Sequence, residues 1–236
     1  MTIEGEAFDS RCTYCLRPAT TEDDVPPKSL FRRPRLSLVT VPSCLECNQG
    51  LSLDDEYFRT SIVLRRDVQD HPDASEIYEN AMRGLKRRGA SGLGGQIART
   101  TRWVKQRTAG GIITPPQPAF SVDLTRLDRV AARTVEGLFR HHYGWALYPH
   151  YAVQAFSLSG LAGIDDLTRS RLLATLRSLT ARPCCKIGGD AFNYWRDVDP
   201  KNPGASAWFL LFFRRVGFVV LSVPAPAVGQ CPMKEP

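Results

Sequence analysis

Two short cysteine pairs constrain this chain more than any other feature: Cys12-Thr-Tyr-Cys15 and Cys44-Leu-Glu-Cys47. Two residues between thiols let both sulfurs of a pair meet one ion from a tight knuckle. Two knuckles complete a tetrahedral shell of four sulfurs, the shell zinc prefers in a closed structural site. The competing reading is four unrelated core thiols or two disulfides. Cytosolic chains rarely keep disulfides, and paired knuckles rarely arise at random. Metal bound in such a shell contributes directly to folding.

The rest of the chain bounds what the staple can serve. Its 236 residues suffice for one large domain or two small ones. The most apolar stretch, Phe209 to Val223, is interrupted by Arg214 and Arg215, and no run reaches the ~18 apolar residues a membrane span needs. Glu4, Glu6 and Asp9 give the N-terminus the wrong sign for a secretory signal. The expectation is a soluble cytoplasmic protein with no membrane partner. A formal net charge of +7 and a pI near 9.2 favour a polyanionic partner.

In chain order, residues 1 to 10 read as a polar lead-in and the first knuckle as a turn opening a small hairpin. Val25-Pro26-Pro27 fixes extended backbone after Asp23 and Asp24, because proline locks φ and disfavours helix before it. Pro34 to Pro42 suits a short strand leading into the second knuckle. A helix is predicted from Cys44 or Asn48 to about Arg66, with Asp54, Asp55 and Glu56 on a solvated acidic face; their approach to an ion at Asn48 is the alternative. Further helices are predicted over Asp73 to Arg88 and Gln96 to Arg107. Gly110 to Pro118 marks a boundary. Beyond it come a strand at Ala119 to Val122, an amphipathic helix at Leu124 to Tyr143, and an extended Val153 to Leu158. A helix at Asp165 to Leu179 precedes three β-rich segments, Cys184 to Ile187, Phe192 to Trp195 and Trp208 to Val223. The last folds back near Arg214-Arg215. The expected fold is α+β. A small zinc-stapled module (1–70), a basic helical connector (71–110), an accessory domain with a mainly antiparallel sheet (111–223) and a disordered tail (224–236) make it up.

Between Arg83 and Arg107 lie eight basic residues and no acidic one: Arg83, Lys86, Arg87, Arg88, Arg99, Arg102, Lys105 and Arg107. Solvated helix faces usually mix both signs. The block therefore points to phosphate contact, with Lys28 beside the acidic pair added to the candidates; an exposed basic face is the plainer alternative. Trp103, interleaved with these charges, can stack on a base or pack inside. Cys184 and Cys185 read as small hydrophobes in or near a core. His141 and His142 point about 100° apart on a helix and cannot serve one site together; the helix C-terminus favours their charged forms.

The stretch from Cys12 to about Arg59 resembles a zinc-containing HNH (ββα-metal) endonuclease. Two knuckles, the run Asp23-Asp-Val-Pro-Pro-Lys-Ser-Leu-Phe31 and Cys44-x-x-Cys47-Asn48 opening a helix carry the resemblance. It implies a zinc ion on Cys12, Cys15, Cys44 and Cys47. It also implies a catalytic Mg2+ or Mn2+ on Asp23 and Asn48, and hydrolysis of DNA phosphodiester bonds. A bacterial origin and a role in phage defence fit the same resemblance, as does a homodimer or partner protein engaged through residues 111–223.

This chain departs from the family pattern at one position. The family places a His, the general base, where this chain has Asp24. Aspartate is the weaker base, titrating near ~3.9 against ~6.5 for histidine, and positioned acid–base help is worth roughly 10²–10⁴-fold. The expectation is impaired activity. The alternative is a catalytically inactive zinc-stapled module that binds nucleic acid or regulates.

Overall fold

The computed structural model describes residues 10–35, 38–87, 92–107 and 110–225. The expected lead-in up to residue 9, Arg88, and the Pro-rich tail with Cys231 lie outside them. The chain is α+β, with six α-helices among the described residues, a five-stranded antiparallel sheet and a cysteine cluster near the N-terminus. No described helix is long and apolar enough to cross a membrane.

A small hairpin comes first. Strand β1 (Thr21–Val25) pairs antiparallel with β2 (Val39–Ser43), matching Asp23 to Val41 and Asp24 to Thr40. Val25 and Val41 are buried, and so are Leu30 and Phe31 just beyond the double proline. Helices α1 (Leu45–Gly50) and α2 (Ser52–Val63) follow the second knuckle. They cover the predicted single helix, with a break at Leu51, beside Gly50.

Helix α3 (Pro72–Arg87) lies where periodicity places it. The helix predicted over Gln96 to Arg107 does not. Helix α4 (Leu93–Thr100) stops early, and strand β3 (Arg102–Val104) pairs with β4 (Gln117–Ala119) in a separate ribbon. Thr100 and Thr101 turn their hydroxyls back onto the carbonyls of Gln96 and Ile97, at 3.2 and 2.7 Å. Such back-bonding competes with helix continuation, and Trp103-Val104 prefers a pleated strand.

Helix α5 (Leu124–Tyr143) packs against the hairpin, α2 and the large sheet. Asp123 caps its start by accepting from the Thr125 N–H at 3.0 Å, and Gly144 ends it in the left-handed conformation at φ +76°. Its apolar stripe, Leu127, Val130, Ala131, Val135 and Leu138, is buried. Strand β5 (Tyr151–Ser157) and helix α6 (Asp166–Thr180) follow. The chain then forms β6 (Cys185–Ile187), β7 (Phe192–Asp199), β8 (Asn202–Phe212) and β9 (Val216–Pro224). The sheet order is β5-β9-β8-β7-β6.

Alternation along β8 and β9 builds two cores. Trp208, Leu210, Phe212, Phe218 and Val220 share one buried cluster with α2, α3, α5 and Val25 of the hairpin. Phe209 and Val219 join Leu172 and Leu179 of α6 on the opposite face. The first cluster joins the N-terminal module to the sheet through α5. Cys185 packs against that cluster, whereas Cys184 is exposed.

Candidate metal centre and acidic cleft

The four sulfurs of Cys12, Cys15, Cys44 and Cys47 all lie within 4.8 Å of one another. Cys15 Sγ and Cys44 Sγ are 3.7 Å apart. Zinc–sulfur bonds near 2.3 Å in a tetrahedron place sulfurs about 3.8 Å apart. The cluster can therefore hold a metal ion such as zinc. Cys12 and Cys44 are buried, and Cys15 and Cys47 are half-buried. The Cys47 N–H reaches Cys44 Sγ at 3.4 Å, as the tight knuckle turn requires. Burial pulls the Cys15 thiol upward, but the Arg17 guanidinium and the other thiols outweigh it and bring it down to about 6.

Below the cluster the hairpin and the helices open a cleft of about 350 Å³. It is lined by Asp23, Asp24, Lys28, Asn48, Asp55 and Arg59, among others. The residues singled out by resemblance thus meet at one cleft. Asn48 follows Cys47 directly, and its side-chain amide donates to Thr21 Oγ1 at 3.0 Å and to the Glu22 carbonyl at 2.9 Å. It clips α1 to β1 and leaves its own carbonyl oxygen as the donor that an ion can use.

Asp23 is held by three donors on a single oxygen. Tyr14, inside the first knuckle, donates its hydroxyl to Oδ2 at 2.7 Å. Arg133 of α5 donates from Nε and Nη2 at 3.1 and 2.8 Å, and its guanidinium lies 3.9 Å over the Tyr14 ring. Burial and the neighbouring Asp23 carboxylate push the Tyr14 hydroxyl well above its usual range, so it stays a donor. Asp24 pairs with Lys28 Nζ at 2.9 Å.

The acidic residues after Asn48 do not form a solvated face. Asp54 is buried, and its two oxygens pair with Arg126 at 2.6 Å and Arg129 at 3.1 Å. Asp55 has a buried Oδ1 with no hydrogen-bond partner among the described residues. Burial, then the Asp23 charge, push its carboxyl up to about 6. Helix α5 explains the difference, because it covers this side of α2 and brings arginines to it. Arg126, Arg129 and Arg133 recur at three- and four-residue spacing, one helix face. That stripe was the available signal for the basic residues which sequence reasoning missed.

No family model, curated protein or solved structure matches this chain.

The remaining candidates lie away from the cleft. Arg83, Lys86, Arg99, Arg102 and Lys105 are exposed on α3, α4 and the β3–β4 ribbon, and Arg87 closes α3. His142 bonds Tyr194 Oη at 2.8 Å. Contrary to the helix-end argument, its charged form is disfavoured: burial, with Arg196 and His141 nearby, draws its imidazole down to about 4. A larger cleft of about 810 Å³ opens beside His71 and the β8–β9 turn. Its cations are mostly committed, Arg32 to Asp73 at 2.7 Å and Lys186 to Asp190 at 2.8 Å.

Proposed function

We propose that this chain is an HNH-like, zinc-stapled ββα-metal module directed at DNA, whose chemistry is metal-dependent phosphodiester hydrolysis weakened by Asp24. One observation carries the reading. A four-sulfur cluster joins a β-hairpin to the helix behind it, and the same two elements turn Asp23 and Asn48 into one cleft.

The donors suit a hard divalent cation. Asp23 Oδ1 and the Asn48 carbonyl oxygen are oxygen ligands of the kind magnesium and manganese take, and Asp55 lines the same cleft. When bound, such an ion supplies Lewis-acid stabilisation of charge on the phosphate. The chain's own residues do the rest. Tyr14 and Arg133 fix the orientation of Asp23 by gripping Oδ2, the role of outer partners around a ligating carboxylate. Lys28 and Arg59 line the cleft and can meet a phosphate. Asp24 stands where a proton acceptor is needed, already paired with Lys28.

That last pairing favours a second reading, a module that binds nucleic acid without cleaving it. Arg133 and Lys28 neutralise Asp23 and Asp24 from within the chain, so both aspartates are paired without an ion.

Asp24→His separates the two. The variant is expected to raise magnesium-dependent cleavage of single-stranded, duplex or branched DNA well above the parent, by roughly 10²-fold. A variant inert on all three substrates rejects the hydrolytic reading. DNA binding that survives alanine at both Asp23 and Asn48 then supports the binding-only one.

A further inference from the structure

The β3–β4 ribbon carries features that neither the fold nor the cleft uses. Trp103 is 73% exposed, and Ile112 and Ile113 farther along the ribbon are 70% and 65% exposed. The ribbon extends past its paired strands through a bridge between Arg107 and Ile113. An indole exposed to this extent contributes little to folding.

Its neighbours in the chain state the chemistry of a partner. Arg99, Arg102 and Lys105, close to it along the chain, are exposed, and neither Arg102 nor Lys105 has an ion-pair partner among the described residues. No acidic residue occurs from Asn80 to Val122. An apolar protein surface would not call for this density of exposed positive charge, whereas a phosphate backbone does. In a duplex, base faces are covered by their neighbours. A planar side chain reaches them only where bases are unpaired.

Location links the ribbon to the cleft. Four residues after β4 ends at Ala119, the Asp123 N–H bonds the Tyr57 hydroxyl of α2 at 2.8 Å. The ribbon is therefore rooted beside the helix whose Asp55 lines the cleft.

We propose that the β3–β4 ribbon is a binding arm for single-stranded DNA, with Trp103 stacking on an unpaired base and Arg99, Arg102 and Lys105 holding the flanking phosphates. The inference rests on the DNA partner of the functional reading and not on its hydrolytic chemistry.

The test uses the full chain with labelled oligothymidylate and a duplex of equal length, compared by fluorescence anisotropy over a range of salt. The parent should prefer the single strand. Trp103→Ala should weaken that binding roughly tenfold and abolish its quenching of tryptophan emission, while Trp103→Phe keeps most of the affinity. Arg102→Ala with Lys105→Ala should flatten the log–log salt dependence by roughly 1.4, about 0.7 per lost phosphate contact, and Trp103→Ala should leave it unchanged. Trp103 is exposed, so an unaltered melting midpoint checks that the variant folds.

Three results overturn the proposal: equal binding by Trp103→Ala and parent, a parent preference for duplex, or a Trp103 substitution that changes only self-association in sedimentation. Failure here is distinguishable from failure of the hydrolytic reading. Cleavage by Asp24→His with Trp103-independent binding removes the arm alone, and Trp103-dependent binding without cleavage removes the nuclease alone.

Discussion

Arg133 reaches Asp23 across 110 residues of chain and donates two N–H bonds to one of its oxygens. Both side chains are sheltered, 13% and 15% exposed. Tyr14 completes the contact by bonding the same oxygen and lying under the guanidinium. A knuckle, a strand and a helix of the chain's second half therefore meet at one carboxylate. Removing one partner of a buried pair strands the other charge and costs roughly 3–5 kcal/mol. Arg133→Met is expected to lower unfolding free energy by about 3 kcal/mol in urea titrations. Asp23→Asn added to it should recover part of that loss. Strict additivity of the two changes would show that the pair is not coupled.

Gly137 marks where α5 presses against the hairpin. A β-carbon there would sit 2.5 Å from one Val25 methyl and 2.9 Å from the other. Valine is stiff at χ1 and cannot swing both methyls away. Gly137→Ala should therefore destabilise by roughly 1–3 kcal/mol, the usual cost of overpacking, despite the helix propensity of alanine. Combining it with Val25→Ala should cost less than the sum of the two single changes. A stabilised Gly137→Ala in thermal melts would refute this contact.

Glu136 gives the molecule a pH signature. Burial raises its carboxyl from an ordinary 4.5 to about 7, with Arg133 acting in the opposite sense. The folded chain thus binds this proton more tightly than the unfolded chain. No cost exists below pH 4.5, and stability declines as pH rises through about 7. Glu136→Gln should match the parent at low pH and exceed it above neutrality, by roughly 3 kcal/mol. Denaturation at several pH values checks this, and parallel curves for the two proteins would contradict it.

What the sequence made legible is local. The knuckle spacing placed four thiols at one point, and the period of Leu127, Val130, Ala131, Val135 and Leu138 placed α5. Pairings distant in sequence were not legible. Nothing near Asp54 or Asp55 announces that three arginines some seventy residues on will cover them, so an acidic face read as solvated. Helix α4 was overextended because basic residues sustain helix propensity, while the strand tendency of Trp103-Val104 is decided by pairing with β4. His142 shows the same limit, since burial against Tyr194 outweighs the helix-end field.

The direct measurement is the metal content of the purified full chain, with sulfur ligation read by X-ray absorption. One zinc per chain in a shell of four sulfurs is expected. Cys47→Ser should lose the metal and lower the melting midpoint, as a strong chelator should for the parent. A chain that holds no metal, melts cooperatively and is indifferent to both chelator and Cys47→Ser would contradict the account, because nothing would then brace Tyr14, Asp23 and Asn48 around one cleft.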